Sequence, residues 1–208
     1  MLPRFYPIVD MGLLDRRGFG APRFAGLLIE EGARILQIRH KGALTRLVYQ
    51  AMEQIRSRCA EGGAICIIND RADVAALLGA GLHLGQDDLP PALARKVAPA
   101  ALTGLSTHNE AQAERAAQEP VDYLAIGPVF TTGTKENPDP VVGLDGVKRA
   151  RALTHLPLVA IGGSTVESAA AVLDAGADSV AVIGDLAPEA MTEATVRERI
   201  RAWIQATK

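Results

Sequence analysis

Two kinds of run alternate along this chain from its fourth residue to its last turn. Short stretches dominated by β-branched and other apolar residues, at 4–10, 35–39, 64–69, 81–84, 101–106, 122–126, 157–161 and 179–183, read as strands. Longer stretches, at 22–31, 46–60, 71–78, 90–97, 110–118, 145–153, 166–175 and 191–206, repeat their apolar positions at helical spacing and are rich in alanine. Near-continuous apolar strands of this kind belong to a parallel sheet covered on both faces.

Punctuation supports the helices. Ser164-x-x-Glu167 and Asn109-x-x-Gln112 read as capping boxes, and Pro90 as a first-turn proline. Gly32, Gly62, Gly79 and Gly176 stand where a left-handed C-terminal cap belongs. EEGARI and DAGADSV share one grammar of helix, glycine, alanine and strand, of which LLGAGLHL is a variant. Eight such βα units with no composition break imply one domain over 1–208, and the strand count favours a closed single (β/α)8 TIM barrel over an open doubly wound sheet. The open alternative also lacks its fingerprint, because IVD runs into MGLLDRRGFG rather than G-x-G-x-x-G.

Composition narrows the picture further. A length of 208 residues is short for such a barrel, yet enough for one sizeable core. With 48% hydrophobic but only 4% aromatic residues, the core has to be built from Ala, Val, Leu and Ile. A net charge of −2 without any concentrated run of Lys and Arg excludes nucleic acid as a natural partner. The beginning of the chain carries no signal-peptide pattern, since Asp10 interrupts its only apolar stretch, and no apolar run is long enough for a membrane span. A soluble, cytoplasmic protein is expected. Cys59 and Cys66 lack the CxxC spacing of a metal or redox site and read as buried reduced thiols.

In a barrel, chemistry gathers where strands end. Strand two delivers Gln37, Arg39 and, just beyond, Lys41; strand three Asn69 and Asp70; strand four Gln86, Asp87 and Asp88; strand five Ser106 and His108. GPVFTTGTKENPDP follows strand six, and IGGS and the Gly184 of VIGD follow strands seven and eight. Gln37 and Arg39 share one face of their strand, while Leu36 and Ile38 point the other way. An unpaired inward guanidinium is costly, so Arg39 needs either a ligand or a carboxylate, and Asp70 is the carboxylate at hand on the neighbouring strand. Asp70 and Asp88 follow consecutive strands; they converge either on a hard cation such as Mg²⁺ or serve as helix N-caps. Arg39, Lys41 and Lys135, joined by a divalent ion, would balance a diphosphate. Thr132, Thr134 and the backbone around Gly133 could add phosphate contacts, and Gly162, Gly163 and Gly184 could form a second anion cradle. Two anion sites at one barrel mouth imply two phosphorylated substrates, or one substrate with phosphate at both ends.

QIRHK, IINDR, HLGQDD, GLSTH, GPVFTTGTK and VAIGG, in this order and at matching intervals, resemble the motifs of the thiamine-phosphate synthase family across nearly the whole chain. The resemblance implies a (β/α)8 barrel that couples hydroxymethylpyrimidine diphosphate to a thiazole phosphate with release of diphosphate, using Mg²⁺. Its substrates would be small molecules, and whether it acts as a monomer or a homo-oligomer is left open. By position, Gln37, Arg39, Lys41 and Asn69 look like the family residues that hold the pyrimidine diphosphate, and Asp70 and Asp88 like its metal ligands. Ser106, Thr132, Thr134 and Lys135 resemble the phosphate-loop and pyrimidine contacts; Gly163, Ile183 and Gly184 resemble the backbone positions that take the thiazole phosphate. The chemistry would then rest on Lys135, Ser106, Arg39 and Lys41. Three positions depart from the family pattern: His40 stands for a usual Glu, Thr131 for a common Pro and Gly184 for a frequent Ser. A thiazole tautomerase using His108, a non-catalytic precursor sensor and a sugar-phosphate epimerase are the competing readings. The gathered cations and paired aspartates argue against all three. His83 reads as a packed core residue outside the site.

Overall fold

The computed structural model describes residues 2–133 and 139–208. Eight parallel strands, β1 (Phe5–Asp10), β2 (Ile35–Arg39), β3 (Ile65–Asn69), β4 (Gly81–Leu84), β5 (Thr103–Thr107), β6 (Tyr123–Ile126), β7 (Leu158–Ile161) and β8 (Ser179–Val182), close into a barrel in sequence order, with β8 paired back to β1. Helices α1 (Met11–Arg16), α2 (Ala21–Glu31), α3 (Arg46–Glu61), α4 (Ala72–Leu78), α5 (Pro91–Val97), α6 (Glu110–Ala116), α7 (Gly143–Leu153), α8 (Ala169–Asp174) and α9 (Glu193–Ala206) lie between and after the strands, with 3₁₀ turns at Val166–Ser168 and Gly184–Leu186. The eight strands and the eight longer helical segments match the sequence pattern, with ends displaced by a residue or two.

The period-two alternation of each strand separates two cores. Leu36, Ile38, Ile68, Leu82 and Leu124 face outward and pack with Phe24, Ile55, Val147 and Trp203 beneath the helices. Tyr6, Ile8, Ile35, Ile67, Tyr123, Val159 and Ala181 fill the barrel interior. At the bottom of the barrel one device occurs twice. Asp122 accepts from Thr103 N–H at 2.7 Å and from Arg95 of α5 at 2.6 Å, while Asp178 accepts from Leu158 N–H and from Arg151 of α7, each at 2.8 Å. Each carboxylate thus ties the start of one strand to its neighbour and to a helix. These charges stabilise the face opposite the site.

Several local expectations need correction. The short helix α1 was not anticipated; the Asp10 side chain caps it by accepting from Leu13 N–H at 2.9 Å. The capping box near 164–168 is built from Thr165 and Ser168, one residue later than Ser164 and Glu167. Asn109 does cap α6, but the Gln112 side chain turns to His108 N–H instead of closing the box. Pro90 occupies the N-cap of α5, and Pro91 takes the first turn. Gly32, Gly79 and Gly176 have φ of 113°, 57° and 105°, as their caps require, whereas after α3 the left-handed residue is Gly63 rather than Gly62. Cys59 and Cys66 are both buried and free, with no disulfide between them.

Candidate active site

The C-terminal ends of the strands surround a cavity of about 840 Å³. Gln37, Arg39, Lys41, Asn69, Asp70, Asp88, Ser106, Thr132, Gly163, Ile183 and Gly184 all line it. Thr134 and Lys135 lie outside the described residues. Residues on or just after seven of the eight strands, β2 to β8, thus converge on one opening, although they are spread through the sequence.

Arg39 is satisfied by a carboxylate, but not the expected one. Its guanidinium pairs with Asp10 on β1, its register partner, while Lys41 Nζ takes Asp70 at 2.5 Å. The register explains the exchange: Ile38 is level with Ile68, which puts Asp70 level with His40, one residue beyond Arg39. Asp70 has a φ of 65°, a left-handed conformation that a non-glycine residue adopts at a cost.

Neither Asp70 nor Asp88 is a helix N-cap. Arg71 and Pro90 hold those positions, and Asp88 accepts from Gly85 N–H at 2.6 Å. Burial, reinforced by the neighbouring Asp70 carboxylate, raises Asp88 above the usual carboxylate range. Two crowded carboxylates make an oxygen-rich half-shell for a hard cation. Among the described residues, no cluster of three or more His, Cys, Asp or Glu side chains could hold a metal, so a cation here would draw its remaining ligands from water or substrate.

Two buried polar atoms are left over at the cavity wall. Asn69 Nδ2 and Ser164 Oγ have no hydrogen-bond partner among the described residues. Buried donors are rarely left unpaired, so both are available to a ligand.

The two glycines after β7 have a structural reason of their own. Gly162 and Gly163 have φ of 104° and 69°, and a Cβ would fall 2.6 Å from Pro128 Cα at the first and 2.4 Å from Thr131 O at the second. The loop after β6 rests directly on this turn, with Phe130 N–H donating to Gly162 O at 2.9 Å. The turn and the loop, the two proposed anion-binding elements, are therefore packed on each other. His108 stands beside them, its Nδ1 2.6 Å from Gly127 O and its Nε2 3.5 Å from Asp139.

A family model described as thiamine monophosphate synthase matches residues 5–186. The chain belongs to the thiamine monophosphate synthase family. It is 47% identical over 189 residues to a thiamine-phosphate synthase of Koribacter versatilis, covering 89% of each chain. A thiamine-phosphate synthase of Chloroflexus aurantiacus is 38% identical over 206 residues, covering 99% of this chain and 94% of the relative. The solved thiamine phosphate pyrophosphorylase of Pyrococcus furiosus superposes with a TM-score of 0.85 at 31% identity, covering 98% of this chain and 95% of that one. As a member of the thiamine monophosphate synthase family, the chain is a transferase. No helix among the described residues is long and apolar enough to cross a membrane.

Set against the thiamine monophosphate synthase motifs, three wall residues and Asp10, the partner of Arg39, had escaped assignment. Asp10 ends β1 as Arg39 ends β2, and the rule applied to the later strand ends would have found it. Ser164 was read as a cap. Gln86 Nε2 donates to Ser106 O at 2.6 Å and braces that strand end. His83 is buried, as expected, yet it also lines the cavity and contacts Ser106 Oγ at 2.9 Å. Alternation between outward Leu82 and Leu84 was the signal that His83 faces inward.

Proposed function

We propose that this chain couples hydroxymethylpyrimidine diphosphate to hydroxyethylthiazole phosphate, or to its carboxylated form, releasing diphosphate and forming thiamine phosphate on the route to thiamine diphosphate. The observation that carries this reading is the meeting of Arg39, Lys41, Asp70 and Asp88 on one rim of a cavity that also holds Asn69, Ser106 and the Gly162–Gly163 turn.

Charge balance supports a role for Mg²⁺. Arg39 and Lys41 face the carboxylates of Asp10, Asp70 and Asp88, and Asp87, Asp139 and Asp185 also line the cavity, so these side chains alone would not attract a polyanion. Asp70 and Asp88 are the residues to hold the cation, which when bound would supply the positive charge that makes diphosphate a better leaving group. Displacement of Lys41 from Asp70 would then free its ammonium for a phosphate oxygen. Arg39, anchored by Asp10, presents its remaining N–H donors to the same group. Lys135, Thr132 and Thr134 are assigned to the same phosphate loop by their motif.

The pyrimidine CH₂–O bond breaks with its electron pair leaving on diphosphate, and the electron-rich aminopyrimidine spreads the resulting positive charge. The thiazole nitrogen then forms the new C–N bond with its own lone pair, so no strong base is required. Gln37, Asn69 and Ser106 orient the pyrimidine, while Gly163, Ile183 and Gly184 receive the thiazole phosphate on backbone N–H groups. Catalysis by this chain is accordingly charge stabilisation and positioning. The substrates are small molecules, no nucleic acid or membrane partner enters the reading, and the cytoplasm is the expected compartment.

The test mixes the purified protein with both phosphorylated substrates, with and without Mg²⁺, and follows diphosphate together with thiamine phosphate. Lys135→Ala, and Asp88→Ala at limiting Mg²⁺, should each slow turnover by ~10²–10³, as loss of an oxyanion-stabilising group does. Turnover within a few-fold of the parent in both variants would sink the reading.

A further inference from the structure

Under the cavity floor a row of polar side chains crosses the barrel interior from β2 to β5. Gln37 Nε2 donates to the Tyr6 hydroxyl at 3.2 Å, and the Tyr6 and Tyr123 hydroxyls lie 2.9 Å apart. Tyr123 is 2.9 Å from His83 Nδ1, and His83 Nε2 is 2.9 Å from Ser106 Oγ. Both ends of the row line the cavity, and Tyr6, Tyr123 and His83 are buried. The floor is shaped to hold them: the His83 and Tyr123 rings stack at 5.6 Å, and Gly104 has no Cβ where one would meet Tyr123 Cζ at 2.0 Å. The coupling reaction consumes none of these three residues, and a simpler barrel would fill the space with hydrocarbon.

Their value lies in direction. Each hydroxyl carries a single proton, and so does a neutral imidazole. Both nitrogens of the buried His83 ring face hydroxyls rather than a carboxylate, so nothing beside the ring compensates a charge and it is neutral. With the Gln37 amide N–H donating to Tyr6, Tyr6 has to donate to Tyr123, and Tyr123 to His83 Nδ1. The imidazole proton is thereby confined to Nε2, from which it is donated to Ser106 Oγ. The Ser106 hydroxyl, having accepted, has its own proton left for the cavity. At the other end the Gln37 amide is oriented by the N–H it gives to Tyr6, which holds Oε1 in place as an acceptor for a ligand, with the second amide N–H beside it.

We propose that Tyr123 and His83 are positioning residues that fix Ser106 as a hydrogen-bond donor and Gln37 Oε1 as an acceptor, so that the site selects an aminopyrimidine over its oxo counterpart. An aminopyrimidine edge offers a ring-nitrogen lone pair beside an N–H₂ donor, matching the two ends. An oxopyrimidine reverses both groups, and meeting it would require Gln37 and every proton in the row to turn over together. The proposal rests on the reading above in which Gln37 and Ser106 face the pyrimidine.

Two measurements test it. In the whole protein carrying nitrogen-labelled histidine, with the His83 signals assigned by their loss in His83→Gln, NMR at neutral pH should show the Nε2–H tautomer. An Nδ1–H tautomer would overturn the proposal, and this experiment needs no altered floor in the parent protein. In steady-state kinetics, Tyr123→Phe should lower kcat/KM for the aminopyrimidine diphosphate about tenfold, the size of one lost hydrogen bond, and leave KM for the thiazole phosphate unchanged. It should also narrow the preference over the oxopyrimidine analogue and add nothing once Ser106 is Ala. His83→Gln, which can accept from Tyr123 and donate to Ser106, should retain most activity, whereas His83→Leu should not. An undiminished Tyr123→Phe effect in the Ser106→Ala background would overturn the relay. Parental activity of Ser106→Ala itself would instead overturn the placement of the pyrimidine, and the tautomer would still decide the direction of the row.

Discussion

Arg39 and Asp10 are register partners on adjacent strands, and a single carboxylate serves two purposes there: one Asp10 oxygen takes the Arg39 guanidinium and the other caps α1 through Leu13 N–H. Asp10→Asn separates these roles, because Asn caps a helix as well as Asp does. Only the ion pair is lost. A buried guanidinium without its partner costs about 3–5 kcal/mol, and the Arg39 side chain, 22% exposed, recovers part of this from water. Urea unfolding should therefore show Asp10→Asn less stable by about 1–3 kcal/mol, with Arg39→Met in the same chain restoring most of the loss. Additive losses in the double variant would contradict the pairing.

His83 makes the fold sensitive to acid. Its ordinary value of 6.5 falls to about 4 in the folded state because burial excludes the charged ring. Within that interval the unfolded chain binds a proton at this residue that the native chain refuses, so stability drops as the pH is lowered from 6.5 toward 4. A shift of this size corresponds to a loss on the order of 3 kcal/mol across the window. His83→Gln removes the titrating group, and its stability, measured by urea unfolding across the same window, should fall less steeply than the parent's. Parallel curves for the two proteins would rule out a buried neutral imidazole.

Gly104 is the cross-strand neighbour of Tyr123, and the aromatic ring lies over it. Gly104→Ala places a methyl 2.0 Å from Tyr123 Cζ, in a core with no flexible side chain on that side to yield. Overpacking of this kind costs about 1–3 kcal/mol. Thermal unfolding should record that loss, and Tyr123→Leu in the same chain should relieve it. If Gly104→Ala alone is neutral, the ring does not occupy the floor as described.

What the sequence disclosed and what it concealed divide along one line. Strand and helix positions follow from periodicity within a short window, so Ile35–Arg39 and Gly81–Leu84 were legible to the residue. The site residues named from the sequence that lie among the described ones also line one cavity, because strand ends in a closed barrel share a face. Partner choice was not legible. Arg39 has a carboxylate on each neighbouring strand, and a register difference of one residue gives it Asp10 and leaves Asp70 to Lys41. His83 concealed its role for a related reason: a buried histidine is read as packing until the hydroxyls beside it, from strands distant in sequence, are known. The helix α1 is too short to show a period, and the Asp10 cap that starts it was read only as a break in an apolar run.

Ser164 offers the last prediction, because its hydroxyl is both buried and unpaired among the described residues, directly after the Gly162–Gly163 turn. A buried hydroxyl without a partner destabilises the protein by about 1–3 kcal/mol, a cost that a ligand accepting from it would offset. The adjoining cradle is assigned to the thiazole phosphate, and the chain has Gly184 where the family resemblance leads one to expect a serine, so Ser164, which lines the same cavity, can supply the hydroxyl. Ser164→Ala should then act in opposite directions on the two states: the ligand-free protein becomes slightly more stable to urea, while KM for the thiazole phosphate rises about tenfold, the loss of one hydrogen bond to a charged group. KM for the pyrimidine diphosphate should not move. A variant that loses stability without ligand, or that weakens both substrates alike, would show that the Ser164 hydroxyl serves the packing of the turn rather than the phosphate.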